Sequence, residues 1–506
     1  MFASSIQANY LREEMNADFY SPKYLRIEAQ IKNSGLSCIV LGDVLKRVFK
    51  GAFSLLASEY QSAGVPFIRV TQINSGYVSL ENSTFISEET HLREHKTRVR
   101  PFDILFAKGG AYRHVAVVPQ HIPDANISQD LIGATVLKGF DPHFGVAFLG
   151  SNFGKPQLIR LQQGNAQPHL TNESVRKILI AIPQEPAQNY IGDKVRQAER
   201  LRAYANGLEA GFKKSILEEF PAIDQFAVGN ARHNRAKPQE LDGNLNPGSF
   251  NPDRVRVRSY LKSSGGRKVA FNATIETPTT STYSFNDRYI GLDAVGSATG
   301  TINPSTIGQE DVVGTVRLLS EGPAISKLRP YLNKVAYIPA ELAGSCGSTE
   351  LLCVRGESPE INWYLCGALS LQSTVRQLVP VATGSTHPRV TREDVLDVYI
   401  PWIKTPELAG KKLALAQRAF FMSDRLVSLG KLLVEALIER RVTEDELIHA
   451  QMRLEQGDNA ADRAILSRLF EGGWDAKETR PLFPDLDAYY ETLRMVEREQ
   501  TEVAAK

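Results

Sequence analysis

Apolar residues recur at steps of three and four in two long stretches of the chain. In the first, Val195, Ala198, Leu201, Ala205, Leu208 and Phe212 fall on one stripe between Ile191 and Phe220, and Pro221 stops it. In the second, Leu413, Ala416, Phe420, Leu426, Leu429, Leu433 and Leu437 do the same within residues 408–440. The pattern predicts two helices of roughly 30 residues, hence about 45 Å each. A helix with one apolar stripe must bury it, and the natural partner for each is the other, packed antiparallel. Ahead of each stripe the period changes to short β-rich runs divided by turns. Pro66–Ile73, Asp103–Ala107 and Val115–Val118 read as strands, and Asn74-Ser-Gly76 as a turn. Residues 171–179 read as a short helix capped by Thr171, and Thr443–Met452 as another capped helix.

The β-rich parts repeat one another. Phe102-Asp-Ile-Leu-Phe-Ala-Lys108, Ala116-Val-Val-Pro119 and Ser128-Gln-Asp130-Leu131 are answered by Gly322-Pro-Ala-Ile-Ser-Lys327, Ala336-Tyr-Ile-Pro339 and Ser348-Thr-Glu350-Leu351. Ala116, Pro119 and Ser128 each find their counterpart 220 positions on. Gly164-Asn-Ala-Gln-Pro168-His-Leu-Thr171 answers Gly384-Ser-Thr-His-Pro388-Arg-Val-Thr391, and Ile182-Pro183 answers Ile400-Pro401. Gly192-Asp-Lys194 against Gly410-Lys-Lys412 carries the repeat into the helices at an offset of 218. A fixed offset over this distance signifies duplicated domains.

The expected fold is therefore mixed α/β: two similar globular domains, separated by two long antiparallel helices forming a coiled-coil-like spacer, with a helical C-terminal extension. The boundaries read as 1–189 for the first domain, 190–220 for the central helix and 221–403 for the second domain. Residues 404–441 form the second helix and 442–506 the extension.

Composition narrows the classes. A chain of 506 residues exceeds one ordinary core, and two to four domains are expected. Hydrophobic content of 42% and charged content of 23% suit a soluble globular protein, and no apolar run is long enough for a membrane span. No signal peptide is read at the N-terminus. Cys38, Cys346, Cys353 and Cys366 form no Cys-x-x-Cys pair, which argues against structural zinc and a disulfide framework and suits a reducing cytoplasm. Residues 442–506 hold 15 acidic and 8 basic side chains, so the net charge of +2 hides +9 over residues 1–441. That excess is compatible with a polyanionic partner.

Taken together, Pro66-Phe-Ile-Arg-Val, Phe102–Lys108, Ala125-Asn-Ile-Ser-Gln-Asp-Leu131, Ile182-Pro183, Ile191-Gly-Asp-Lys and Lys327-Leu-Arg-Pro-Tyr-Leu-Asn-Lys334 resemble the specificity (S) subunits of Type I restriction–modification systems. The resemblance spans about residues 20–440, and the extension from 442 departs from the family plan. It implies two target-recognition domains, each reading one half of a split double-stranded DNA target, with the helices setting the gap. It implies a non-catalytic, cytoplasmic subunit without cofactor. Its expected partners are methyltransferase (modification) subunits and a restriction/translocase subunit, and each helix can offer the methyltransferase a second face. The alternative is a DNA-recognition subunit of another anti-phage defence system with a different effector, the acidic extension serving as adaptor.

Reading bases needs donors and acceptors on loops, and gripping phosphates needs Lys and Arg. The candidate DNA-binding residues in the first half are Lys108, Tyr112, Arg113, Gln129, Gln163, Asn165, Gln167 and His169. In the second they are Lys327, Arg329, Tyr331, Asn333, Lys334, Ser385, Thr386, His387 and Arg389. Framework positions agree between halves while polar ones differ, as two readers of different half-sites would. The plainer reading is ordinary polar loops, with Lys108 and Lys327 capping strand ends or pairing with the matched acids Asp130 and Glu350. Gly164/Gly384 and Pro168/Pro388 read as turn formers.

Enzymatic readings find less support. His91-Leu-Arg-Glu-His95 fits a zinc-binding pattern, but the second half has no equivalent and a solvated helix face accounts for it. Asp103 and Lys108 suggest a nuclease core, but Phe106 stands where the second acid belongs. Asn251-Pro-Asp and Asn303-Pro-Ser lack the second proline and aromatic of an adenine methyltransferase turn, and no phosphate-cradling Gly-rich lysine loop exists. No catalytic and no metal-binding residues are expected.

Overall fold

The computed structural model describes residues 17–504 apart from 54, 56, 75, 81–82, 110–113, 123, 164–167, 226–245, 285–286, 299, 303–304, 307–313 and 472–485. The chain is mixed α/β and divides into two compact units. One comprises Met1–Ala203 with Ala419–Lys506, the other Tyr204–Arg418. Among the described residues no helix is long and apolar enough to cross a membrane.

In the first unit a five-stranded sheet runs in the order Leu45–Lys50, Leu131–Val136, Ile104–Ala107, Val115–Val117, Gly76–Tyr77. Ile104, Leu105, Phe106 and Ala107 are all buried, so the strand is a continuous apolar run covered on both faces. Leu105 and Ala107 join Ala116, Val118, Ile127 and Leu131 in one core. Ile104 looks the other way, toward the helix Pro142–Gly150, where a Cβ on Gly145 would stand 3.2 Å from its Cδ1. Asp141 caps that helix, its carboxylate accepting from the amides of His143 and Phe144 at 2.8 and 3.0 Å. A second sheet, ordered Thr84–Ile86, Val65–Ile68, Ala125–Ile127, Arg98–Val99, has its middle pair parallel. A two-stranded ribbon joins Ser37–Val40 to Leu179–Ile182.

The second unit repeats this construction. Its main sheet runs Thr274–Glu276, Leu351–Arg355, Gly322–Ser326, Val335–Ile338, beneath the helix Pro359–Leu369. Its second sheet again contains a parallel pair, Arg288–Ile290 with Cys346–Gly347, and its ribbon joins Arg267–Lys268 to Tyr399–Ile400. The registers match residue by residue: Leu105 opposite Ala116 becomes Ala324 opposite Ala336, and Ala107 opposite Leu131 becomes Ser326 opposite Leu351. A buried glutamine staples each ribbon. The Gln157 side chain accepts from the amide of Leu179 at 2.9 Å and donates to its carbonyl at 2.8 Å. Gln377 does the same to Tyr399 at 2.9 and 2.7 Å.

Two long helices, Glu185–Glu219 and Pro406–Ile438, each contribute to both units. Their apolar stripes are buried at Val195, Ala198, Leu201, Leu426, Leu429 and Leu433. Within the first unit Arg202 pairs with Asp424 at 2.9 Å, and a Cβ on Gly430 would meet Val195 at 3.3 Å, so the helices run antiparallel there. Within the second unit Gln417 reaches Glu209 at 3.4 Å, and Leu413 and Phe212 both crowd Gly367.

Residues beyond the repeat form the helices Glu444–Glu455, Ala460–Glu471 and Leu486–Ala504, which belong to the first unit. Thr443 and Glu446 close a reciprocal cap at the first of them. The extension is anchored by Asp462, which is 1% exposed and pairs at 2.7 Å with Lys194, also 1% exposed. The hydroxyls of Tyr190 and Tyr490 donate to the same carboxylate. Burial alone would raise this carboxyl, but Lys194 and the two hydroxyls hold it below the ordinary range.

Candidate nucleic-acid interface

In the first unit Lys108 ties three segments together. It follows the strand Ile104–Ala107, its amide donates to the Asp130 carbonyl at 2.8 Å, and its own carbonyl accepts from Leu170 at 3.0 Å. Its ammonium donates to the Gln129 carbonyl at 2.6 Å. Gln163 and His169 exchange two backbone hydrogen bonds of 2.9 Å, closing the neighbouring loop. Lys108, Gln129, Gln163 and His169 thus lie at one edge, the last three exposed. Tyr112, Arg113, Asn165 and Gln167, with the turn former Gly164, lie outside the described residues. Burial depresses the Lys108 pKa, the nearby Lys50 depresses it further, and Asp130 opposes both.

The second unit builds the same frame. The Lys327 amide donates to the Glu350 carbonyl at 2.8 Å, and the Lys327 carbonyl accepts from Val390 at 3.1 Å. Thr383 and Arg389 exchange the two backbone bonds that Gln163 and His169 exchange in the first. Here the matched acid does pair with cations: Glu350 lies 2.9 Å from Arg389 and 3.9 Å from Lys327. In the first unit the lysine takes a main-chain carbonyl instead. The Arg329 amide donates to the Pro388 carbonyl at 2.8 Å, with φ of +50°, drawing the two loops side by side. Ser385, Thr386, His387 and Tyr331 are exposed. Gly384 turns its loop at φ +103°, a conformation that suits glycine.

Two candidates take up internal duties. Asn333 is buried, and its side-chain amide donates to the Ser370 carbonyl at 2.7 Å. The Lys334 ammonium donates to the Leu292 carbonyl. Both bonds hold the loop in place.

The first unit also gathers cations with no motif to announce them. Burial lowers His114, and Lys155 and Lys431 add to it. Lys431 itself is brought down to about 8 by burial, with Lys155 contributing. Arg202 stacks on the Tyr77 ring, 3.5 Å from its centroid. Lys431 and Arg202 sit on the long helices, where periodicity marks the apolar stripe and is silent about the flank.

The histidine pair reads differently in space. His91 is buried, hydrogen-bonded to the Asn126 side chain and 3.2 Å from Asp124, in place of the solvated helix face that its charged neighbours suggest. His95 faces the Arg93 carbonyl at 3.3 Å, so the two rings serve different partners. Among the described residues no group of three His, Cys, Asp or Glu side chains is placed to hold a metal ion. The Asp103 carboxylate accepts from the Arg100 amide at 3.0 Å, and burial raises its pKa.

Comparison with known proteins points the same way as the repeated motifs. The chain is 29% identical over 147 residues to the Type I restriction enzyme EcoBI specificity subunit of Escherichia coli. That match spans 29% of this chain and 30% of the relative's length. The S subunit of a Type-I restriction-modification system from M. genitalium shares 13% identity at a TM-score of 0.41, covering 81% of this chain and 97% of that one. The HsdS subunit from Thermoanaerobacter tengcongensis shares 17% at a TM-score of 0.29, over 81% and 97%. No protein-family model matches the chain. Over those 147 residues the similarity is to a Type I specificity subunit, the family that the motifs resemble.

Proposed function

We propose that this chain, similar as it is to Type I specificity subunits, is the sequence-specific DNA-recognition subunit of a Type I-like restriction–modification complex. Its two repeated units act as target-recognition domains, each reading one half of a bipartite target. The paired helices set the spacing between half-sites and dock methyltransferase subunits, and the chain itself is non-catalytic. A restriction/translocase subunit is the further expected partner, and the complex works in the cytoplasm.

The observation that carries this reading is the frame built twice. Lys108 with Asp130 and Lys327 with Glu350 make the same backbone bonds, while the exposed residues around them differ, Gln129 against Thr349 and His169 against Arg389. A constant scaffold with variable polar tips is what direct readout of two different sequences requires. The net +9 over residues 1–441 adds the sequence-independent attraction to phosphates.

The test is a base-modification map of the host genome with and without this gene. A split, adenine-methylated motif that disappears on deletion is the expected result. Removing residues 108–114 from the intact gene should abolish recognition of one half-site only, and loss of both halves from a folded chain would overturn the division of labour. The acidic extension outside the repeat favours one second reading: a recognition subunit of another anti-phage system. An unchanged modification map would turn to that reading.

A further inference from the structure

The extension covers one of two equivalent helix faces. In the first unit, the extension's helices Ala460–Glu471 and Leu486–Ala504 reach Tyr190, Lys194 and Gln197, spaced for one face of the helix. Asp462 takes Tyr190 and Lys194, and the Tyr489 hydroxyl donates to Gln197 at 2.7 Å. At the rim Gln451 reaches Asp193 at 3.1 Å, and Arg200 lies 3.9 Å from Glu497.

The repeat supplies the counterpart face in the second unit. Gly192 sits where a Cβ would meet the Asp141 side chain at the head of one sheet-covering helix. Gly410, 218 positions on, sits where a Cβ would meet the Glu360 carbonyl at the head of the other. The inward residues agree: Ile191, Val195 and Ala198 are buried, as are Ala409, Leu413 and Ala416. The outward residues that correspond to Tyr190, Lys194 and Gln197 are therefore Leu408, Lys412 and Leu415. Tyr190 is fully buried, whereas Leu408 is 55% exposed. Lys412 and Leu415 are half-buried. Lys404, Lys411 and Arg418 are exposed around them, against Glu407.

We infer that the extension is a built-in occupant of one of two pseudo-equivalent docking faces. The face of Leu408, Lys412 and Leu415 then receives an acidic helical segment of a single methyltransferase subunit. The choice of occupant follows from the filled face. A lysine on the repeated Gly-x-Lys turn is met there by a helix-borne carboxylate, from a segment carrying a net charge of −7. The open face presents the same lysine, more surrounding cations, and leucines in place of the tyrosine and the glutamine. An exposed leucine ringed by charge has the make-up of an interface centre and rim. The inference rests on the methyltransferase-docking reading above and adds a stoichiometry: one subunit per chain, not two.

Native mass spectrometry of the full-length chain, titrated with the purified methyltransferase subunit of the same host, tests it. One subunit per chain is expected. The L408E/K412E variant, checked for an unchanged melting curve, should bind at least tenfold more weakly. Full-length D462R, which sets two cations together and releases the extension, should admit a second subunit. Two subunits on the unmodified chain, or one retained undiminished by L408E/K412E, would overturn the inference while leaving the docking reading intact. No binding to the unmodified chain would overturn the docking reading itself.

Discussion

The Lys194 ammonium and the Asp462 carboxylate lie 2.7 Å apart, joined across 268 residues and almost wholly removed from water. Removing one charge leaves the other buried without compensation. Asp462→Asn should cost about 3–5 kcal/mol of stability in the first unit, read from chemical denaturation.

Acid should act on the same contact. The Asp462 carboxyl is held below its ordinary value in the folded chain. Its contribution is complete above the unfolded value of about 4 and is lost as pH falls through the lower, folded one. The extension should loosen in that window in the unmodified chain, and Asp462→Asn should flatten the response. Hydrogen exchange of residues 444–471 as a function of pH measures both.

Lys431 gives a window at the other end of the scale. Burial first, and Lys155 second, bring its folded pKa to about 8, below the unfolded value of about 10.4. Between those values the unfolded chain binds the additional proton, so stability rises with pH from about 8 to about 10. Urea midpoints across that range should show the rise, and Lys431→Met should remove it.

The two equivalent glycines should differ in their tolerance. A Cβ on Gly410 would stand 1.9 Å from the Glu360 carbonyl oxygen, a main-chain atom, whereas one on Gly192 would meet the Asp141 carboxylate at 2.6 Å, a side chain that can shift at the expense of the helix cap it makes. Gly410→Ala should therefore lose about 1–3 kcal/mol or more, and Gly192→Ala less. Thermal melts of the two variants, side by side, decide it.

Exposed loop residues should affect one half-site each. Gln129→Ala and His387→Ala remove side chains that the frames leave exposed. Each should cost about 1–3 kcal/mol of discrimination at its own half of the target and nothing at the other. Binding to a panel of DNAs mutated in one half at a time measures this, and a uniform loss across the panel would assign the residue to phosphate contact instead.

Much of this architecture is legible in the sequence, for identifiable reasons. The long helices show because a stripe of period 3.6 survives 30 residues of noise. The first, however, begins at Glu185 rather than at residue 190, because Pro186 is tolerated in an opening turn. The Thr171 and Thr443 caps show because a cap is a local bond. Pro66–Ile73 is only half a strand: it ends at Ile68, and Gln72 folds its side chain back to the Arg69 amide at 3.0 Å, making a turn of what composition presents as extended. Contacts set by distant partners leave no trace. Nothing near Asp462 marks it as the partner of Lys194, and nothing near Asn333 marks its bond to Ser370. His91 reads as solvent-facing because its neighbours are charged, yet Asn126 draws it inward.

The bonds that make the paired frames are main-chain bonds. Lys108 to Asp130 and Lys327 to Glu350 join amide to carbonyl, and neither asks anything of the side chains at 130 and 350. Mutation can therefore rewrite those letters while these bonds persist, and the two halves of the gene can diverge in spelling long after they have ceased to diverge in shape. Loops spliced from one half, or from a distant cousin, would arrive at a socket already cut to receive them.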